Sequence, residues 1–330
     1  MRKQMLICLS IVFVMLALAA CGTNETKTDA AGDKETDVTT TGQASSGTSD
    51  ASTRLYKHAM GETEIPMKPE RVVTLQYASQ MISVGLKPIG ALDYLLDTSD
   101  PAFKGIEDVG TGEAINYEKI LELQPDLIIA ADVEKDVYDK LTKIAPTVVV
   151  PWMDYDVFGH VKQMGEILNR QAEADAWKTQ FDAKIQAAKE QIIGKIGEGK
   201  TFAIYRVDPK EFYVYGVRNI GFTLYKALGL QSPPLVQKEI DKDPNFWAMP
   251  ISLEVLPNYA ADYVFLIKLD GEEAADRFEE IKKSKLWQNL PAVKNNHVYE
   301  ITMDKWLGYT PHDIEVQLQD AVRLLTEEIK

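Results

Sequence analysis

Residues 157–196 read VFGHVKQMGEILNRQAEADAWKTQFDAKIQAAKEQIIGKI. This is a helical stretch of about 40 residues, far above the usual helix length. Ala174, Trp177, Phe181, Ile185 and Ala188 recur at three- and four-residue steps and give it one apolar face. Asn169-Arg170 is the candidate joint within it. On both sides of the stretch the sequence changes rhythm.

Upstream, short apolar runs alternate with helical segments. Arg71 to Leu75, after Pro69, predicts a buried strand, and Pro88 to Leu92 a second. Ser79 to Gly85 is a helical turn or two. Ile115 to Leu123 predicts a helix with Asn116 as N-cap and Gln124-Pro125 as its stop. Asp126 to Ala130 runs apolar without alternation, as a strand covered on both faces should. Val133 to Ile144 is helical, and Pro146 to Pro151 is a fourth strand bracketed by prolines. Downstream, Thr201 to Arg206 and Glu211 to Tyr215 read as a hairpin around Asp208-Pro209. Ile220 to Leu228 is a helix closed by Gly229. Leu253 to Asn258 is a short helical segment and Asp262 to Lys268 a strand. Asp276 to Lys283 is helical, His297 to Ile301 a strand, and Asp313 to Ile329 the last helix. The pattern predicts two α/β lobes with largely parallel sheets, joined by one long helix.

The N-terminus carries a different message. Met1-Arg2-Lys3 opens an apolar run from Met5 to Leu18 that ends in Leu18-Ala19-Ala20-Cys21. A basic start, an apolar core and small residues before a cysteine are the order of a secretory signal. The run is short for a span of about 20 residues. The end resembles a bacterial lipobox, which implies cleavage before Cys21 and lipidation of its thiol. Cys8 is lost with the signal, so the folded part has no disulfide, Cys nucleophile or Cys metal site. Asn24 to Thr53 is almost all Thr, Ser, Gly, Ala, Asp and Glu, and predicts a flexible tether. The chain holds 36 Lys and Arg against 50 Asp and Glu, and two of the basic residues lie in the signal. This acidity argues against nucleic acid and against broad binding to anionic membrane.

The layout and several segments resemble the substrate-binding lipoproteins of iron–siderophore ABC importers, a family that includes cobalamin and heme binders. The segments are Pro69-Glu70-Arg71-Val72-Val73, Gly85 to Gly90, Asn116 to Ile120 with Leu123 to Ile128, Ile251 to Leu256, and Trp287 to Lys294. The similarity covers about Tyr56 to Lys330. It implies a class III substrate-binding protein: two Rossmann-like lobes joined by one long α-helix. The expected boundaries are a signal peptide over 1–20 and a lipidated Cys21 with linker over 21–53. An N-terminal lobe over 54–160, a connecting helix over 161–197 and a C-terminal lobe over 198–330 follow. The resemblance also implies a ferric siderophore as ligand, an ABC permease dimer as partner, a lipid-anchored place outside the cell membrane, and a monomer. In the family pattern one acid on each lobe meets permease arginines, and Glu118 and Glu254 fall on those positions. By themselves, each would simply complement a helix N-terminus.

Ligand is expected between the lobes, where strand ends and helix starts meet. Residues just beyond the strands are the candidates: Gln76, Tyr77, Asp93, Tyr94 and Trp152 in the first lobe, and Arg206, Arg218, Trp247, Trp306 and Tyr309 in the second. Tyr and Trp offer rigid amphipathic surface for an organic chelate. Arg206 ends a strand where catecholate-binding relatives carry arginine, and could donate paired bonds to an anionic chelate. The first lobe lacks an obvious basic cluster, which favours a hydroxamate or citrate chelate over a triscatecholate. The four histidines, His58, His160, His297 and His312, are scattered without metal-ligand spacing, so no metal site and no cofactor are expected and iron enters already chelated. No G-x-S-x-G, phosphate loop or dinucleotide fingerprint occurs, so an enzyme is not expected. The alternatives are a heme or corrinoid binder of the same family and, from another class, a structural surface lipoprotein or an enzyme.

Overall fold

The computed structural model describes residues 52–97, 99–268 and 271–327. The expected signal peptide, Cys21 and the linker up to residue 51 lie outside the described residues. Among the described residues no helix is long and apolar enough to cross a membrane.

A hairpin comes first, β1 (Thr53–His58) and β2 (Gly61–Pro66), paired antiparallel from Thr53↔Pro66 to His58↔Gly61. The sequence carries no strand signal here, because charged residues are frequent and only Ile65 of the hairpin is buried. The first lobe then runs β3 (Val72–Thr74), α1 (Ala78–Ser83), β4 (Gly90–Ala91), β5 (Glu107–Asp108), α2 (Tyr117–Glu122), β6 (Leu127–Ala130), α3 (Lys135–Leu141), β7 (Thr147–Val149) and α4 (Val157–Ile167). Its sheet has the order β5-β4-β3-β6-β7, with every pairing parallel. Every residue of β3, β6 and β7 is buried. Successive side chains go to opposite faces. Val72, Leu127, Ile129 and Val148 pack with Met164 and Ile167 of α4, whereas Val73, Ile128 and Ala130 pack with Ile120 of α2 and Leu141 of α3. The hairpin seals the β7 edge: Ala59 N donates to Val149 O, and the Val149 amide donates to His58 Nδ1, both at 3.2 Å.

The long helical stretch divides at the candidate joint. Asn169 takes a left-handed conformation, φ 55°. The Arg170 amide reaches back to Gly165 O at 2.7 Å, the capping pattern in which a left-handed residue satisfies the last carbonyls of a helix. The connecting helix is therefore α5 (Gln171–Ile196), shorter than the expected 161–197, and α4 belongs to the first-lobe core. Ala174 of α5 packs with the first lobe, and Phe181, Ile185, Ala188 and Ile192 pack with the second. Trp177 touches both cores.

The second lobe runs β8 (Phe202–Val207), β9 (Phe212–Tyr215), a π-helical segment Phe222–Ala227, α6 (Pro234–Lys242), β10 (Ala248–Ile251), a 3-10 segment Leu253–Tyr259, β11 (Tyr263–Lys268), α7 (Glu272–Lys283), α8 (Lys285–Gln288), α9 (Pro291–Lys294), β12 (Val298–Ile301), α10 (Met303–Trp306) and α11 (Pro311–Thr326). Its sheet order, β10-β9-β8-β11-β12, repeats that of the first lobe. Here the predicted hairpin makes β9 antiparallel to β8 and β10, so the sheet is mixed. The architecture is α/β, two lobes joined by one long helix.

Candidate functional site

The loops that leave β3, β4, β7, β9 and β12 meet between the lobes and enclose a cavity of about 710 Å3. A crevice beyond strand ends is where open α/β sheets place ligands, and this volume lies in the range of about 300–1,000 Å3 usual for small-molecule sites.

The first lobe supplies Tyr94, Gln76 and Trp152 to the wall. Tyr94 is 57% exposed, and its hydroxyl donates to Gln76 Oε1 at 2.7 Å. The Trp152 amide donates to Asp132 Oδ2 at 3.1 Å. Its ring stacks on His160 at 4.5 Å and 18°. His160 is fully buried. Burial, aided by the Arg218 charge, pushes its pKa down to about 3, so Trp152 rests on a neutral imidazole.

The second lobe supplies Tyr309, which meets Trp152 edge-on at 5.8 Å and Phe222 at 5.2 Å. Burial raises the pKa of its hydroxyl. Lys305 also lines the cavity, with its ammonium on Asp320 Oδ1 at 3.2 Å. Thr310 caps α11 by a reciprocal bond pair with Asp313, fixing the helix that carries His312. The His312 amide donates to Ser79 Oγ at 3.1 Å. Its ring nitrogens lie 3.1 Å from Asp97 Oδ2 and 3.1 Å from Asp100 Oδ2. His312 is thus a tie between lobes. Ser99 and then His312 hold the Asp97 carboxyl below the usual range.

Of the residues singled out from sequence, Trp152, Tyr309, Gln76 and Tyr94 come together in the cavity wall. Tyr77 and Trp306 do not, because both are fully buried. The Tyr77 hydroxyl donates to Val150 O at 2.6 Å, and the Trp306 indole donates to Asp320 Oδ2 at 2.8 Å. Both are core residues with no surface to offer a ligand. Trp247 is 52% exposed on the approach to β10 and is not part of the cavity wall. Arg206 also lies outside that wall, bound on both edges by Asp208 and Tyr215. Arg218 sits at the junction of the lobes, 3% exposed. Phe103, Asp97, Leu307 and His312 line the cavity unforeseen, since each lies in a loop or cap whose position depends on packing between lobes.

Glu118 and Glu254 are both exposed. Each is the second residue of the helical segment that leads into the fourth strand of its lobe, behind the N-caps Asn116 and Ser252. The Ser252 side chain, first, holds the Glu254 carboxyl below its ordinary range. Beside them stand Leu121, 59% exposed, and Val255, 38% exposed.

The profile of the periplasmic binding protein family matches residues 94–304. The chain belongs to that family, whose members bind substrates and do not catalyse reactions. It is similar to the iron(3+)-hydroxamate-binding protein YxeB of Bacillus subtilis, 33% identical over 98% of this chain and 97% of that protein. Among solved structures it is similar to a FhuD fold-family periplasmic binding protein component of a ferrichrome ABC transporter from Bacillus subtilis. That likeness has 33% identity and a TM-score of 0.69, and covers 82% of this chain and all of the other. It is also similar to SirA of Staphylococcus aureus complexed with staphyloferrin B, with 30% identity and a TM-score of 0.68 over 83% of this chain and 98% of that one.

Proposed function

We propose that this protein captures a ferric hydroxamate siderophore in the crevice between its lobes and hands it to an ABC permease from a lipid-anchored position outside the cell membrane. The charge of the cavity wall carries the choice of ligand. Asp97, Asp304 and Asp313 line it, against Lys305 and His312. Lys305 is engaged by Asp320, and His312 by Asp97 and Asp100. Iron(III) held by three hydroxamates has a neutral core, and such a chelate needs aromatic surface and few charges. Citrate chelates and triscatecholates are anionic and need free guanidinium groups of the kind this wall lacks. The similarity to a hydroxamate-binding protein along nearly the whole chain supports the same reading.

Glu118 and Glu254 serve as the permease contacts in this reading. Their equivalent positions in two lobes of one strand order suit a partner built of two like halves. Exposed anionic groups steer such docking and speed it.

Tryptophan-fluorescence titration against ferric hydroxamates, ferric citrate, ferric catecholates, heme and cobalamin tests the ligand. Saturable quenching by the hydroxamates at the lowest concentrations is expected. Tighter binding of citrate, a catecholate, heme or cobalamin would overturn the proposal.

A further inference from the structure

Two cavities flank one side chain. A cavity of about 710 Å3 and a second of about 300 Å3 share Tyr309 as a wall residue, and Arg218 lines the smaller one. Arg218 belongs to the second lobe. Its Nη2 donates to Trp152 O at 2.7 Å, and its Nη1 lies 3.4 Å from Tyr155 O, both on the first-lobe loop after β7. Its guanidinium also lies over the Tyr309 ring at 4.9 Å. Its acceptors among the described residues are carbonyl and amide oxygens, with Asn245 Oδ1 at 3.4 Å as the third. A buried cation held by neutral dipoles and an aromatic face, without a carboxylate, is costly unless its geometry is used.

The base of Arg218 is rigid. Gly216 N donates to Trp247 O at 2.6 Å and Val217 N to Phe246 O at 2.9 Å. A Cβ on Gly221 would stand 1.6 Å from Gly216 O, so the turn closes only with glycine there. The far end is rigid as well, because Trp152 is fixed by Asp132 and by its stack on His160.

We propose that Arg218 is a positioning residue that pins the Trp152–Tyr155 loop to the second lobe, holds Tyr309 as the wall between the two chambers, and so sets the size of chelate the large chamber accepts. This rests on the siderophore reading. A compact ferric trishydroxamate fits the large chamber alone. A bulky extension needs the small chamber too, and Tyr309, under the Arg218 guanidinium, is the wall between them.

The test uses a compact ferric trishydroxamate and the same chelate carrying a bulky aromatic amide, titrated against the wild type, Arg218→Met and Arg218→Lys. The wild type should prefer the compact form by about tenfold or more, the scale of pocket-size discrimination. Arg218→Met should bring the ratio near unity, and Arg218→Lys should fall between. Hydrogen exchange at the Trp152–Tyr155 amides, read without ligand, should quicken in Arg218→Met. An unchanged ratio with folded Arg218→Met overturns the partition, and unchanged exchange overturns the pin. If Arg218→Met does not fold, Arg218→Lys decides by the same two readouts. A wild type that binds neither chelate overturns the siderophore reading instead, while exchange still judges the pin.

Discussion

The Arg206 guanidinium grips Asp208 with two parallel hydrogen bonds, Nε to Oδ1 and Nη2 to Oδ2, each 2.7 Å. Nη1 donates to the Tyr215 hydroxyl at 2.7 Å, and the group lies 4.4 Å over the Tyr213 ring. The arginine that sequence alone offered as an anion receptor has its charge matched within the hairpin.

Arg206→Ala should therefore destabilise the fold more than it weakens ligand binding. Removing it leaves the partly buried Asp208 and Tyr215 without their partner, a loss of about 1–3 kcal/mol. Arg206→Ala with Asp208→Ala should recover part of that loss. Denaturant unfolding beside a ferric hydroxamate titration checks it. A large affinity loss at unchanged stability would return Arg206 to the ligand.

Glu118→Ala and Glu254→Ala should impair iron uptake and leave siderophore affinity unchanged. Each acid stands exposed at the second position of its helix, away from the cavity wall. An unpaired cation on the permease costs a few kcal/mol if the contact is dry and much less if it is wet. Radioactive-iron uptake in cells, compared with titration of the purified variants, separates transport from capture. Loss of affinity in either variant would remove the docking role.

Stability should fall as the pH drops below about 6.5. The folded pKa of His160 lies near 3, below the unfolded value of 6.5, so the unfolded chain takes the proton first. The contribution is complete above 6.5 and is lost as the pH falls toward 3, at about 1.4 kcal/mol per pH unit. His58, whose pKa burial also lowers, acts in the same direction. His160→Phe should flatten the profile in urea unfolding between about pH 4 and 6.5, inside the window where the two states differ in protonation. An unaltered slope in that variant would show that His160 is not its source.

Ligand binding should change the overall dimensions little. One helix packs into both cores through Ala174 and Phe181, and His312 and Arg218 add ties across the crevice. Small-angle scattering with and without a ferric hydroxamate should give nearly equal radii of gyration. A large contraction would mean that α5 bends.

Local chemistry made much of the fold legible. Val72 to Thr74, Leu127 to Ala130 and Thr147 to Val149 are apolar at every or nearly every position, and only a strand covered on both faces explains that. Asn116 and Gln124-Pro125 bound α2 as capping rules require. The β1–β2 hairpin escaped, because main-chain bonds and the polar side chains of Arg54, Tyr56, His58 and Thr63 hold it, with Ile65 its one buried residue, rather than an apolar stripe. Within the site, Trp152 could be found because it closely follows β7, and Tyr309 because only the short α10 separates its loop from β12.

By itself the sequence determined the absence of cysteine from the described residues, the two α/β lobes and the long helix, since each is written in residues close along the chain. Only the tertiary structure decided which aromatics face the crevice. Trp306 and Tyr309 lie three residues apart after one strand, yet one is sealed in the core on Asp320 and the other faces Trp152 across the lobes. The same holds for charge. Whether an arginine serves a ligand depends on what has already neutralised or enclosed it, and for Arg206 and Arg218 those partners are set by hairpin register and by contacts between lobes.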